Sequence, residues 1–294
     1  MRAFLFQFII WFSSKLSLKT AHKWAAFMSR LVWRWSEKQR RITTTNIKCC
    51  YPKLSEEEQQ QLAQAGLTET IKSMLELGVI WRKYAGRIDD LIVDFHGLEV
   101  LEQALAQQQG LLLAVPHFGN WEVLNLWLSR YDGFSFLYKP PDDKKIEQQL
   151  LKNRGQGGAN QITANAKGVR QVFKVLKQNH ILAILPDQQP KNGQGVFSPF
   201  MGQSAYTMTL FSKIAMKTKT PVIFAVAERL ADGKGFDLHF KVASPEIYGE
   251  LEASVNSMNQ SIAEMVRINP SQYQWTYRRF SIQADDSRPY RAED

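Results

Sequence analysis

The chain reads as an α/β protein with a mixed central sheet flanked by helices, and three observations carry that reading. From Asp89 onward short apolar runs alternate with stretches of helical periodicity. Two of the runs, Leu111 to Val115 and Ile181 to Leu185, contain no polar residue, as befits strands buried on both faces. Pro221 to Ala227 and Phe236 to Val242 read as paired strands.

The N-terminal segment differs from the rest in charge. Of the 37 Lys and Arg residues ten lie in residues 1–50, against one of the 28 acids, so the whole net charge of +9 sits there and the body is neutral. Ala3 to Phe12 is apolar but far shorter than the roughly 20 residues that cross a bilayer. Lys15, Lys19 and Lys23 follow at once and oppose translocation. Trp24, Phe27, Met28, Leu31 and Trp35 then recur at helical spacing, with Lys19, Lys23, Arg30, Arg34 and Arg41 along one flank. A basic, Trp-rich amphipathic helix is the pattern of a segment lying in a membrane interface. Residues 1–40 are therefore expected to associate with a membrane, 41–285 to form the α/β domain, and 286–294 to be a disordered tail. No nucleic-acid partner is expected, because the basic residues belong to no recognised binding module. Adjacent Cys49 and Cys50 give neither a disulfide framework nor metal-ligand spacing, which suits a reduced, cytosol-facing location.

Arg41 to Leu54 reads as a connector. Ser55 with Glu58 is a capping-box pattern opening a helix from Glu56 to about Lys83. Within it Glu76 falls on an apolar face, where a paired acid is the simpler expectation than a catalytic one. Leu91 to Phe95 and Phe134 to Tyr138 read as strands, and Leu98 to Ala106 and Asp142 to Asn153 as helices. The cluster Arg154-Gly155-Gln156-Gly157-Gly158 lacks the residues of a nucleotide loop, but it can bring backbone amides and Arg154 to an anion. Lys167 and Arg170 open the helix Val169 to Gln178, where two cations meet a helix N-terminus. Gly195 to Gly202 reads as an apolar loop before the helix Met208 to Lys217, and Ser254 to Ile268 as the last helix.

The chemistry gathers at Pro116-His117-Phe118-Gly119-Asn120-Trp121-Glu122, between the strand Leu111 to Val115 and the helix Asn120 to Arg130. Open α/β sheets place their sites at such junctions. On one continuous helix His117 and Glu122 would lie roughly 140° apart. They meet only if the helix begins between them, with Gly119 or Asn120 as N-cap and Glu122 in the first turn. Glu122 is then expected to orient the His117 ring and leave its other nitrogen as a base. Asp187, at the end of the strand Ile181 to Leu185, stands where sites also gather.

His-Phe-Gly-Asn-Trp-Glu after a strand resembles the H-x4-D/E box of the glycerolipid-type acyltransferases, in the H-F-x-x-W-E form of the late acyltransferases of lipid A biosynthesis. Arg41, Asn46, Tyr51 and Pro52, then Glu76, Arg154 with its glycines, Lys167-Gly168, Pro186-Asp187-Gln188, Phe200-x-Gly202-x-x-Ala205 and the closing Pro270-x-Gln272-Tyr273-x-Trp275-x-x-Arg278-Arg279-Phe280 extend the resemblance in order over nearly the whole chain. Ser271 and Tyr277 depart from it, standing where that family usually has Glu and His. The resemblance implies transfer of an acyl chain of the lauroyl or myristoyl type from acyl-carrier protein to a hydroxyl of a lipid A precursor, at the cytoplasmic face of the inner membrane. It needs no cofactor and no metal. His117 would be the general base and Glu122 its orienting carboxylate. Asn120, Arg154, Lys167, Arg170, Asp187, Gln188, Arg278 and Arg279 are the candidates for holding substrate, the arginines by bidentate contact with phosphates or sugar acids. Oxyanion donors are open between the backbone amides after Gly119 and Arg154. An acyltransferase acting on another glycerolipid or glycolipid, from acyl-coenzyme A or a carrier protein, is the alternative. A metal-dependent hydrolase lacks H-E-x-x-H, with His22, His96, His180 and His239 in unrelated contexts, and a non-catalytic membrane protein is the remaining reading.

Overall fold

The computed structural model describes residues 2–191 and 193–291. Its helices are α1 (Arg2–Ser13), α2 (Leu18–Trp35), α3 (Glu37–Cys50), α4 (Glu56–Val79), α5 (Leu98–Ala106), α6 (Trp121–Leu128), α7 (Lys144–Arg154), α8 (Ala166–Lys177), α9 (Leu210–Thr218) and α10 (Leu251–Val266). Its strands are β1 (Ile92–His96), β2 (Leu111–Ala114), β3 (Ser135–Tyr138), β4 (Asn160–Thr163), β5 (Ile181–Ile184), β6 (Gly195–Phe200), β7 (Gln203–Met208), β8 (Val222–Arg229) and β9 (Phe236–Val242). Seven strands make one mixed sheet in the order β1-β9-β8-β2-β5-β3-β4, and β6 pairs with β7 in a separate antiparallel hairpin.

Within the large sheet only β8 and β9 run antiparallel. Asp232-Gly233 between them takes the left-handed conformation at both residues, φ 56° and 69°, as a tight hairpin connection requires. The central strands β2 and β5 are buried along their whole length, which is why their sequences carry no polar residue. Apolar cores fill both faces. One gathers α8, α9 and α10, the other α2, α4, α5 and α6.

The N-terminal helices meet the body through small residues. α2 buries Leu18, Ala21, His22, Ala25 and Ser29, and this narrow stripe lets it lie close on α4. Its large residues point the other way: Trp24, Phe27 and Trp35 are 43%, 52% and 78% exposed. Phe4, Leu5, Phe8 and Trp11 of α1 are exposed as well. The aromatic stripe is thus not the face that docks on the body. No helix among the described residues is long and apolar enough to cross a membrane.

Three expectations change. The connector Arg41 to Leu54 is largely helix α3, which Ser36 caps by accepting from the Gln39 amide and which Asn46 ties to the C-terminal segment, its side-chain amide donating to the carbonyls of Trp275 and Tyr277 at 2.6 and 2.7 Å. The apolar loop Gly195 to Gly202 is the first arm of the β6–β7 hairpin. The tail is ordered as far as it is described, because Tyr290 is buried and its hydroxyl donates to Asn46 Oδ1 at 2.5 Å while accepting from the Phe280 amide at 2.9 Å. Residues 292–294 of the expected tail lie outside the described residues.

A buried ionic cluster ties the layers together. Arg229 of β8, 3% exposed, donates through Nε and Nη2 to Glu76 of α4, through Nη1 to Glu69 at 2.6 Å, and through Nη2 to Ser73 at 2.8 Å. His22 of α2 reaches Glu76 Oε1 at 2.6 Å, and Asn120 donates to Glu76 Oε2 at 2.9 Å. Burial pushes the Glu76 carboxyl up, but the Arg229 charge and hydrogen bonds, with those of His22, outweigh it and bring it down to about 2.

Removing the carboxylate leaves a buried guanidinium without its main partner. Glu76→Ala is expected to lower stability at neutral pH by about 3–5 kcal/mol in denaturant titrations. Because the folded pKa lies below the ordinary 4.5, the stabilisation is full above that value and is lost as pH falls toward about 2. The gap between parent and variant should therefore close over that window, and a constant gap would contradict the pairing.

Candidate active site

The site is set by the register of two neighbouring strands. β2 and β5 run parallel with Leu111 opposite Ile181 and Ala114 opposite Ile184, an offset of 70. Carried three residues on, through Pro116 and Pro186, the same offset sets His117 opposite Asp187. The side chains meet there: His117 Nδ1 lies 2.8 Å from Asp187 Oδ1, and the His117 backbone amide donates to Oδ2 at 2.9 Å.

Asp187 is buried. Burial pushes its carboxyl up, but the His117 charge and the two hydrogen bonds from His117 prevail and hold it below the usual range. An ionised Asp187 accepts, so the His117 proton rests on Nδ1 and the Nε2 lone pair is left over. Gln188 Nε2 approaches that nitrogen at 3.2 Å and also donates to Gln274 Oε1 at 2.9 Å. Buried Tyr273 lies beside the pair, its phenol raised well above its ordinary value by burial first and by the Asp187 charge second.

The turn after His117 is shaped by Gly119. Its φ is +56°, and a Cβ there would stand 1.8 Å from the Ala227 carbonyl oxygen, so only glycine fits. Its amide donates to the Gln272 carbonyl at 3.0 Å, and its own oxygen accepts from Ser73 at 2.7 Å. Asn120, one of the two expected N-caps, caps α6 by accepting from the Glu122 amide at 3.2 Å. Its side-chain nitrogen is committed to Glu76. Helix α6 thus begins between His117 and Glu122, as expected, although the pairing from which that start was argued does not form.

Glu122 does not turn to His117. Its Oε1 accepts from Arg154 Nε at 2.7 Å, and the arginine side chain lies over Trp121, 4.5 Å from guanidinium carbon to ring centre. A permanently charged guanidinium on α7 is a stronger partner for a buried carboxylate than an imidazole that already has Asp187. Glu122 Oε2 and the Trp81 indole nitrogen are both buried without a hydrogen-bond partner among the described residues. Burial raises the Glu122 carboxyl and the Arg154 charge only partly offsets it, so the net shift is upward.

An open cleft of about 230 Å³ lies above these groups. His117, Glu122 and Arg154 line it together with apolar Met74, Leu77 and Trp121. Of the expected backbone oxyanion donors, the amides of Gly119, Asn120, Glu122 and Val123 already donate within the protein. The two terminal nitrogens of Arg154 make no hydrogen bond among the described residues.

The expected substrate residues divide. Asn120, Arg154, Asp187 and Gln188 gather with His117 and Glu122, although Asn120 and Asp187 are used up in holding neighbours. Lys167 and Arg170 are exposed on α8 and do not line the cleft. Arg278 is exposed over the Tyr290 ring. Arg279 is buried and donates to the Tyr206 carbonyl and to Thr207 Oγ1, both at 2.8 Å, so its guanidinium serves the β7 strand and not a phosphate. Sequence reasoning passed over Gln274, Ser73 and the apolar wall from α4. No local motif marks them; only the fold brings them to His117.

Comparison with known proteins adds a family and several relatives. The profile of the bacterial lipid A biosynthesis acyltransferases matches residues 1–281. A lipid A biosynthesis lauroyltransferase of Escherichia coli K12 is 24% identical over 284 residues, 94% of this chain and 90% of its own length. A palmitoleoyltransferase of lipid A biosynthesis from the same organism is 24% identical, covering 81% of this chain and 78% of its own. A phosphatidylinositol mannoside acyltransferase of Mycobacterium tuberculosis is 23% identical over 70% of this chain and 65% of its own length.

The raised Glu122 carboxyl has a measurable sign. Its protonated form is favoured by the fold, so its contribution is full at low pH and is lost as pH rises through the raised pKa. Glu122→Gln, which mimics the protonated form, should therefore gain stability relative to the parent as pH rises above the ordinary 4.5 in thermal melts. A difference that does not vary with pH would show that Glu122 is not shifted in the fold.

Proposed function

This chain belongs to the bacterial lipid A biosynthesis acyltransferase family, and from that premise we propose that it moves a fatty acyl chain from a carrier-protein thioester to a hydroxyl of a lipid A precursor. The observation that carries the reading is the His117–Asp187 pair, whose Nε2 edge faces a cleft lined by one arginine and an apolar wall.

The acceptor hydroxyl displaces the Gln188 amide from His117 Nε2 and gives up its proton there as its oxygen attacks the thioester carbonyl carbon. Asp187, not Glu122, fixes the ring and stabilises the imidazolium that forms. The carbonyl oxygen becomes an oxyanion and meets the terminal nitrogens of Arg154, which Glu122 and Trp121 hold in place. When the tetrahedral intermediate collapses, the C–S bond breaks and the leaving thiolate takes the proton from His117. Met74, Leu77 and Trp121 give the acyl chain an apolar wall beside the reacting carbon. Likeness to the mycobacterial phosphatidylinositol mannoside acyltransferase favours one alternative, acylation of another glycolipid.

The outer faces of α1 and α2 support a membrane surface as part of this reading. Exposed aromatic side chains beside lysines and arginines suit insertion into an anionic lipid interface. This supports the cytoplasmic face of the inner membrane as the place of work.

His117→Ala and Asp187→Asn are each expected to lower acyl transfer onto a phosphorylated, hydroxyacylated glucosamine disaccharide by roughly 10²- to 10⁴-fold, with circular dichroism unchanged. Full activity in either variant removes the proposed base. Better transfer to a mannosylated phospholipid than to the disaccharide would move the assignment to the glycolipid alternative. The triple variant Trp24→Ser, Phe27→Ser, Trp35→Ser should lose co-sedimentation with vesicles containing anionic lipid, while undiminished binding would exclude α2 as the contact.

A further inference from the structure

The neutral charge of the body conceals a marked segregation. Between Glu147 and Glu228 the chain carries ten Lys and Arg residues and a single acid, Asp187, which is buried against His117. The excess falls mainly on α8 and α9. Lys167, Arg170, Lys174 and Lys177 recur at helical spacing and are all exposed, whereas Val172, Val175 and Leu176 on the other side are buried in the core. On α9 Lys213 and Lys217 are exposed, while Phe211, Ile214 and Ala215 face inward. Lys217 Nζ sits 4.9 Å from the ring centre of Phe173 and joins the two helices into one surface. None of the six cations forms an ion pair among the described residues.

This surface differs from that of α1 and α2. Neither α8 nor α9 exposes a large apolar side chain, while α1 and α2 expose nine. A face that enters lipid needs both charge and apolar area. Charge alone, on two rigid helices, suits a soluble anionic macromolecule held at its rim by electrostatic complementarity. α8 follows β4 and precedes the parallel strand β5, so its N-terminus opens at the edge of the sheet where β2 and β5 deliver His117 and Asp187.

We propose that the exposed face of α8 and α9 is the docking surface for the acidic carrier protein that presents the acyl thioester. This rests on the carrier-bound donor of the proposed function. The donor then arrives on one side of the sheet, and the lipid acceptor on the other, beside α1, α2 and α4.

Two charge-reversal pairs, Lys174→Glu with Lys177→Glu and Lys213→Glu with Lys217→Glu, test it without touching the cleft. Each should raise KM for the carrier-bound donor about ten-fold or more with little change in kcat, and weaken direct binding of the carrier protein in fluorescence anisotropy to a similar degree. Transfer from the same acyl chain on pantetheine alone should be unaffected. Equal effects on both donors, or unchanged carrier binding, would overturn the assignment. So would a loss confined to the phosphorylated acceptor or to anionic vesicles, which would give the face to those ligands. Failure of the parent protein to transfer from any thioester would refute the acyltransferase reading, while the binding measurement still decides the docking surface.

Discussion

Arg229 is the residue on which the rest of the arrangement hangs. It comes from the interior of the sheet, yet it carries a full charge that burial alone would make costly. Glu76 and Glu69 balance it, Ser73 and the Gly119 carbonyl accept from its Nη2 as well, and His22 and Asn120 complete Glu76. One cluster therefore fixes a sheet strand, the long helix α4, the N-terminal helix α2 and the turn that leads from His117 into α6. The wall of the cleft and its floor are positioned by the same set of charges. An apolar substitute of similar volume would preserve packing but would not specify the orientation of the Gly119 turn.

A second ionic arrangement sits on top of the first. Two carboxylates and two basic groups pair in and beneath the cleft, and each carboxylate has one partner. Asp187 takes the imidazole; Glu122 takes Arg154. The division has chemical sense. A base needs a partner that is ionised and remains so, which the low-lying Asp187 provides. Glu122 is raised by burial, its partner Arg154 offsets that only in part, and the pair holds the guanidinium over the Trp121 ring. The six-residue box His117 to Glu122 thus supplies one member to each of two pairs.

Much of this was legible in the sequence. The unbroken apolar runs gave β2 and β5, and the start of α6 was narrowed to Gly119 or Asn120, of which Asn120 is the cap, although the His117–Glu122 pairing behind that reading does not form. The partner of His117 was not legible from local spacing, because Asp187 lies far along the chain and comes near only through strand adjacency. A signal was present nonetheless: Val115-Pro116-His117 and Leu185-Pro186-Asp187 stand at equal distances from the starts of their strands. Reading it required knowing that β2 and β5 are neighbours. The helical periodicity of Trp24 to Trp35 was also readable, but not the direction in which it faces. That was decided by the small residues Ala21, Ala25 and Ser29, whose close approach to α4 leaves the aromatics outside. Buried Arg279 shows the opposite limit, since a sequence motif records that a cation is required without recording what it touches.

The shared offset of β2 and β5 has a consequence for how such a chain can diverge. Everything between the two rails, from α6 through α8, is an excursion whose length does not enter the His117–Asp187 distance. Loops there can grow, shrink or be traded for others, and the His117–Asp187 pair remains aligned. A slip of a single residue along either rail would instead turn one partner to the far side of the sheet. The intervening segments are thereby free to drift while the pair stays frozen, an arrangement in which chains that agree at few positions can still keep the same two side chains together.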